Sequence, residues 1–373
     1  MNPIIKWPGG KSRELSKIQD MIPGFSRYVE PFFGGGALYF HLQPEAAAIN
    51  DVSADLMQFY QLVKEQDPML QSYLRCYDES FGNLVATCDA NTARLVDIFT
   101  SLYTGVMDQD SLTDALYCLI RAMAEDLQAG FRQPLVLDWE AFEAQLLKMA
   151  VDKFTRTVAN HRKKPFTQED LQENLITGFT SGYFMYFRDI FNDIQLGRRT
   201  DLSKAYGSAN FYFIREYCYG SMFRYNAKGE FNIPYGGMSY NRKDMGGKID
   251  AMFCPSTQKL FSQTQICSTD FEAFLNSLNL TKDDFLFLDP PYDSDFSDYE
   301  GKAFTKLDQA RLAVFLSRTP AKFILIIKNT DFIQGLYTNG HFRVLSFDKQ
   351  YTYNVRSRNT RDTQHLIVTN LPE

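Results

Sequence analysis

The chain has 373 residues, with 39 Lys and Arg against 45 Asp and Glu, a formal net charge of −6, and 45% hydrophobic residues. That length suits two domains, or one domain with a large insertion, and the composition is that of a globular protein rather than a disordered or fibrous one. No apolar run reaches the roughly 20 residues of a membrane helix, and Met1-Asn2-Pro3-Ile4-Ile5-Lys6 lacks the layout of a signal peptide.

Six scattered cysteines without a C-x-x-C pair read as reduced core thiols, so a cytoplasmic setting is expected. The four histidines form no ligand-spaced cluster, and no metal site is expected. Charge is uneven along the chain: residues 51–147 are mainly acidic, while 153–248 carry basic runs such as His161-Arg162-Lys163-Lys164, Arg198-Arg199 and Arg242-Lys243. This asymmetry predicts one acidic and one basic face.

In chain order, Trp7-Pro8-Gly9-Gly10-Lys11 comes first, a glycine turn carrying a cation. Gly10-Lys11-Ser12 is like the end of a phosphate loop, but Ile5 stands where that motif needs its first glycine, and no strand precedes it. Lys11 could hold a carboxylate or lie in solvent. A strand at 27–32 then runs into Phe32-Phe33-Gly34-Gly35-Gly36-Ala37-Leu38, where consecutive glycines permit a tight turn and close backbone approach to a ligand. A second strand at 46–50 ends in Asn50-Asp51, where an acidic side chain can accept hydrogen bonds from ribose hydroxyls. The full G-x-G-x-x-G spacing fails because Tyr39 occupies its last position, which disfavours NAD or FAD and leaves another adenosine-containing cofactor. The plainer alternative is a glycine turn beside a surface Asp.

About two hundred mainly helical residues follow. Apolar side chains recur at helical spacing in 111–128, after Ser111 as N-cap candidate, and again in 139–158. Thr167 followed by Asp170 signals another helix start, and the polar stretch 160–167, containing Pro165, is the best linker candidate. Five more strands are expected at 263–268, 284–288, 322–328, 342–347 and 365–370, the last two as an antiparallel edge pair. Strands separated by helical patterns at both ends of the chain predict a doubly wound, Rossmann-like α/β sheet of seven strands with an antiparallel edge and an inserted, mainly helical domain.

The strand at 284–288 ends in Asp289-Pro290-Pro291-Tyr292. Two prolines cannot continue a sheet ladder, so a carboxylate, two rigid carbonyls and an aromatic ring are held at a strand's C-terminal end. Open α/β sheets place their ligand chemistry there.

Five motifs, Trp7-Pro8-Gly9-Gly10-Lys11, Glu30 to Gly36, Asn50-Asp51, Thr269-Asp270-Phe271 and Asp289-Pro290-Pro291-Tyr292, occur in an order that resembles the Dam-like, α-group DNA adenine-N6 methyltransferases. The segment from Arg224-Tyr225-Asn226 to Pro234-Tyr235-Gly236 is similar to that family's DNA-facing region. The resemblance covers roughly 4–65 and 183–370, and it implies S-adenosyl-L-methionine as cofactor and double-stranded DNA as substrate. It implies that Asp289 and the Pro290 carbonyl accept the adenine amine's hydrogens, that Pro291 stiffens the turn, and that Tyr292 stacks on a flipped base. It implies cofactor contacts from Trp7, Lys11, Phe32, Gly34, Asp51, Asp270, Phe271 and Asp289, although Asp270 could instead be a helix N-cap. It implies DNA contacts from Tyr219, Met222, Arg224, Asn226, Lys228 and Asn232, and from Arg356, Arg358 and Arg361 in a loop that could equally be solvated. Gly220 stands where the family usually has Asn, so the target sequence is left open.

The expected organisation is a catalytic domain from 1–70 and 255–373, an acidic helical segment at 71–180 with no assigned role, and a target-recognition region at 181–254. A monomer or weak dimer is expected, with a cognate restriction endonuclease as candidate partner. The competing readings are an RNA adenine methyltransferase and a non-catalytic DNA-binding protein of the same fold.

Overall fold

The computed structural model describes residues 1–8, 15–292, 298–299, 302–338, 340–350 and 362–372. It divides into two compact units, Met1–Lys64 with Pro255–Glu373, and Glu65–Cys254.

In the first unit, seven strands form one sheet: β1 (Arg27–Glu30), β2 (Ala47–Asn50), β3 (Thr264–Cys267), β4 (Asp284–Leu288), β7 (Lys322–Lys328), β8 (Arg343–Gln350) and β9 (Asp362–Thr369), in the order β3-β2-β1-β4-β7-β9-β8. The two-residue strands β5 (Asp298–Tyr299) and β6 (Lys302–Ala303) pair separately. From β3 across to β7 neighbouring strands are parallel, and β9 runs antiparallel to both β7 and β8, which gives the expected antiparallel edge. β7 explains itself: Phe323 to Ile327 are all buried, as a strand covered on both faces requires.

Helices α1 (Leu15–Ile18), α2 (Ala37–Leu42), α3 (Ala54–Lys64), α12 (Pro255–Ser262), α13 (Phe271–Ser277), α14 (Lys306–Leu316) and α15 (Asp331–Tyr337) complete this unit. Side-chain alternation in the strands separates two cores. Val29, Leu286, Phe323, Leu325 and Val368 pack with α13, α14 and α15 through Phe274, Leu312, Leu316 and Ile333. On the other face Tyr28 meets Phe285 at 6.1 Å, and Tyr39 of α2 meets Phe261 of α12 at 5.7 Å between ring centroids. At the foot of the sheet, Arg27 on β1 binds Asp284 on β4 through Nε and Nη2, at 2.7 and 3.0 Å.

The second unit holds α4 (Pro68–Ala90), α5 (Thr92–Thr104), α6 (Gln109–Ala122), α7 (Ala124–Ala129), α8 (Trp139–Lys163), α9 (Gln168–Gln195), α10 (Lys204–Tyr217) and α11 (Gly246–Met252). An aromatic core fills it. Tyr77 and Phe213 stack at 4.7 Å, and Tyr183 meets Phe187 at 4.8 Å. Polar side chains inside that core bond to one another: Ser80 Oγ lies 2.7 Å from the Tyr183 hydroxyl, and the Asn210 amide nitrogen donates to the Tyr77 hydroxyl at 3.0 Å.

Three expectations change. Residues 160–167 are not a linker but the end of α8 and the turn into α9, where Thr167 caps α9 by accepting the Asp170 N–H. Asp108 rather than Ser111 caps α6, since its carboxylate accepts the Ser111 N–H at 2.8 Å. The expected boundary at 180/181 falls inside α9, which runs unbroken through it.

Two of the three basic runs are neutralised, while in the run at 161–164 Arg162 is held by the Tyr103 carbonyl rather than by a carboxylate. Arg198 pairs with Asp193 and Glu230, Arg199 with Asp201, and Arg242 with Asp89 and Glu173. Lys243 and Lys248 both pair with Glu216, which is fully buried. These cations bind the chain's own carboxylates, so the basic stretch of sequence does not become a uniformly basic face.

Candidate active site and nucleic-acid-facing segment

β1 and β4 lie side by side, yet the chain leaves β1 towards β2 and β3 and leaves β4 in the opposite direction, towards β7. This is the switch point of the sheet, where a crevice opens beyond the strand ends. The glycine turn follows β1 and the Asp-Pro-Pro-Tyr turn follows β4, so both sequence motifs reach that crevice.

After β1 the chain turns through Gly34 and Gly36, at φ of 49° and 62°. Glycine is obligatory here on two counts. The left-handed backbone disfavours other residues, and a Cβ at Gly34 would lie 2.7 Å from Cδ1 of the Trp7 indole. Asp51 shapes this turn, its carboxylate accepting the Gly34 N–H at 2.9 Å and the Ser53 N–H at 3.0 Å. A carboxylate offers about four acceptor positions, so these bonds orient it without excluding a ribose hydroxyl. Tyr60 secures the turn from below by donating to the Gly34 carbonyl at 3.1 Å.

Asn50 ties the loops together. Its buried amide donates to the carbonyls of Pro31 and Thr269, both at 3.1 Å, and accepts the Thr269 N–H at 2.9 Å. The ends of β1, β2 and β3 are thereby locked to one another.

Asp270 is the N-cap of α13, accepting the Glu272 and Ala273 N–H groups, and it also binds the Arg311 guanidinium at 2.7 Å. Those bonds hold its carboxyl below the usual range against the opposing effect of burial, with Arg311 the largest lowering influence. The Phe271 ring is buried against Phe32 at 5.4 Å and Phe304 at 5.6 Å, and the Arg311 guanidinium lies over it at 4.9 Å. Its N–H, first in the helix, has no partner among the described residues.

Beyond β4, Pro290 is buried, while Asp289, Pro291 and Tyr292 are partly exposed. The Gln309 side chain of α14 donates to the Pro291 carbonyl at 2.9 Å. The Tyr292 ring meets buried His365 of β9 edge-on, at 5.2 Å and 69°. Glu30, at the end of β1 and 3% exposed, accepts the Tyr28 hydroxyl at 2.7 Å. Burial, and then the charges of Asp289 and Asp51, push its carboxyl well above the usual range, outweighing the Tyr28 hydrogen bond. Glu30, Asn50, Gln309 and His365 had no assigned role in the sequence. Glu30 and Asn50 sit inside quoted motifs, whereas Gln309 and His365 carry no local signal.

In the second unit, the segment expected to face DNA folds back on itself as a short two-stranded ribbon. Tyr225 bridges Phe231, and the Asn232 N–H donates to the Arg224 carbonyl at 3.2 Å. Phe223, Phe231 and Ile233 point inward and are buried, while Arg224, Asn232 and Pro234 alternate outward and are exposed. Lys228 is exposed at the turn, Tyr219 is 52% exposed, and Met222 is partly exposed. Arg224 and Lys228 form no ion pair among the described residues; the Lys228 charge acts at longer range on Glu230, whose carboxyl the Asn226 hydrogen bond chiefly lowers. Asn226 is differently occupied: its Oδ1 accepts the Lys228 and Glu230 N–H groups and its Nδ2 donates to Glu230, so it builds the turn. Lys11, Arg356, Arg358 and Arg361 lie outside the described residues.

A sheet of this order, with a glycine turn after β1 and an acidic-Pro-Pro-aromatic turn after β4, defines an α/β methyltransferase. The model of the D12 class of N6 adenine-specific DNA methyltransferases matches residues 7–98 and 116–353. The chain is 25% identical to the Type II methyltransferase M.CviBI of Paramecium bursaria Chlorella virus NC1A, over 99% of this chain and all of that protein. It is 25% identical to the Type II methyltransferase M.MjaIII of Methanocaldococcus jannaschii, over 90% of this chain and 88% of that protein. A DNA adenine methylase of Vibrio cholerae is 21% identical over 98% of this chain and 95% of its own length. The chain belongs to the D12 class of N6 adenine-specific DNA methyltransferases. That assignment favours DNA adenine methylation over the RNA and non-catalytic readings. Among the described residues, no helix is long and apolar enough to cross a membrane, and no group of His, Cys, Asp or Glu could hold a metal ion.

Proposed function

We propose that this chain takes S-adenosyl-L-methionine as methyl donor and methylates an adenine turned out of duplex DNA, using the crevice above β1 and β4. The observation that carries this reading is the meeting of two motifs at one switch point: the Asp51-braced glycine turn and the Asp289-Pro290-Pro291-Tyr292 turn.

The donor set fits the cofactor. Asp51 is aimed by two backbone N–H groups and suits ribose hydroxyls. Trp7 and Lys11 take the methionine end, and Phe32 and Gly34 line the path. Because the Asp270 carboxylate is committed to α13 and Arg311, its part is to set the backbone, leaving the Phe271 N–H for the edge of the cofactor's adenine. The bound cofactor supplies an electrophilic methyl group.

The substrate amine is a poor nucleophile because its lone pair is delocalised into the purine ring. Asp289 and the Pro290 carbonyl accept its two hydrogens at fixed geometry, which favours a pyramidal nitrogen and stabilises the positive charge that develops. Pro291 keeps the turn rigid and Tyr292 stacks on the base, which must leave the duplex to be reached. The proton leaves after transfer. Arg224 is suited to a bidentate guanine contact, Tyr219, Met222 and Asn232 to neighbouring bases, and Lys228, Arg356 and Arg358 to phosphates. Action in the cytoplasm, as a monomer or weak dimer, and pairing with a restriction endonuclease are part of the same proposal. The Type II names of two relatives support the pairing.

The test is transfer of labelled methyl from S-adenosyl-L-methionine to genomic DNA free of N6-methyladenine. Asp289→Ala is expected to abolish transfer while cofactor binding largely persists. Unchanged transfer by that variant would sink the proposal.

A further inference from the structure

We propose that Gln309 is a positioning residue for methyl transfer, its buried amide gripping the Pro291 carbonyl and so aiming the Asp289 and Pro290 acceptors and the Tyr292 ring. This rests on the catalytic reading of that turn given above.

Pro290 and Pro291 have no N–H, so two successive peptide units of the turn cannot be held by their own donors. The proline rings fix φ, and the freedom left is rotation about ψ. At Pro291 that rotation decides where the Tyr292 ring goes. The handle left to the fold is the carbonyl, and Gln309 Nε2 takes it at 2.9 Å. Gln309 is itself immobilised. It is fully buried in the first turn of α14, behind a capping box in which Thr305 accepts the Asp308 N–H and Asp308 accepts the Thr305 N–H. On the other side, His365 meets the Tyr292 ring edge-on, so the last residue of the turn is bounded from α14 and from β9.

The decisive observation concerns the other half of the Gln309 amide. Its Oε1 is buried and has no hydrogen-bond partner among the described residues. A buried acceptor without a partner destabilises the fold. A methionine or leucine of similar length would fill the same space without a buried amide oxygen and would leave the partly exposed Pro291 carbonyl to solvent, so the gain and the loss in stability roughly offset and stability alone does not select a glutamine here. An apolar side chain cannot hold the Pro291 carbonyl.

The test compares wild type, Gln309→Met and, read the same way, Gln309→Leu, each normalised to protein competent to bind S-adenosyl-L-methionine. The expected result is an unchanged or higher melting temperature, unchanged cofactor affinity, and a kcat lowered at least about tenfold at saturating DNA, the scale set by misplaced reacting groups. An unchanged kcat overturns the proposal. So does weakened cofactor binding with kcat retained, or a lower melting temperature with the rate per folded molecule unaffected. Asp289→Ala runs beside these variants. If wild type transfers methyl to DNA and Asp289→Ala does not, the catalytic reading stands whatever Gln309 shows. If wild type transfers none, that reading falls first.

Discussion

At the scale of single residues, Glu30 shows how far a carboxyl can depart from its sequence expectation. Burial, with Asp289 and Asp51 nearby, raises it well above its ordinary value of 4.5. The folded state therefore keeps a proton that the unfolded chain releases from about pH 4.5 upward. More protons are bound when folded, so this group makes stability fall as pH rises through that window. Glu30→Gln fixes the neutral form and is expected to flatten the loss of melting temperature as pH rises above about 4.5. An identical slope in variant and wild type would show that Glu30 is ionised in the fold. Asp51 and Asp289 were legible in sequence because each stands in a short motif at a strand end. The rise at Glu30 was not legible, because it depends first on burial and then on carboxylates brought close by strand pairing.

At the scale of elements, the α8–α9 hairpin is set by two glycines. A Cβ at Gly182 would sit 2.6 Å from the Leu146 Cα, and one at Gly178 would sit 2.9 Å from the Ala150 Cα. Backbone atoms cannot step aside as side-chain tips do. Gly182→Leu is expected to cost at least about 1–3 kcal/mol, the range for overpacking, read from the urea midpoint. Gly207→Ala in α10 is the control: its added Cβ meets nothing within 4 Å, so a gain of about 0.5–1 kcal/mol is expected from helix propensity. Equal effects at both sites would refute the close-approach account. The helices themselves were legible from apolar spacing. The reading of 160–167 as a linker failed because a polar, proline-containing stretch looks alike whether it joins domains or turns one helix against another.

At the scale of the whole molecule, charge divides by partner rather than by sequence block. Arg242 is committed to Asp89 and Glu173, whereas Lys228 is exposed and forms no ion pair among the described residues, Glu230 feeling its charge only at longer range. Lys228→Ala is expected to reduce the slope of log K against log salt for DNA binding by about 0.9, the value for one phosphate contact. Arg242→Ala should leave that slope alone and lower the melting temperature instead. A reversed pattern would return Arg242 to a DNA-binding surface.

What sequence alone determined was whatever the chain specifies locally. Glycine and proline restrict their own backbone, apolar runs declare strands, and a motif a few residues long carries its chemistry with it. The seven strands, the two turns at the switch point and the class of reaction all belong here. Tertiary structure alone decided which polar groups are already occupied. Asp270 was spent on Arg311 as well as on its helix N-terminus, and Arg242, Lys243 and Lys248 on carboxylates distant in sequence. It also decided that Asn50, Gln309 and His365 hold the site, since their partners lie between 18 and 219 residues away along the chain. Hydrogen bonds and ring contacts act over a few ångströms in space, and separation in sequence does not reveal that distance until the sheet has formed.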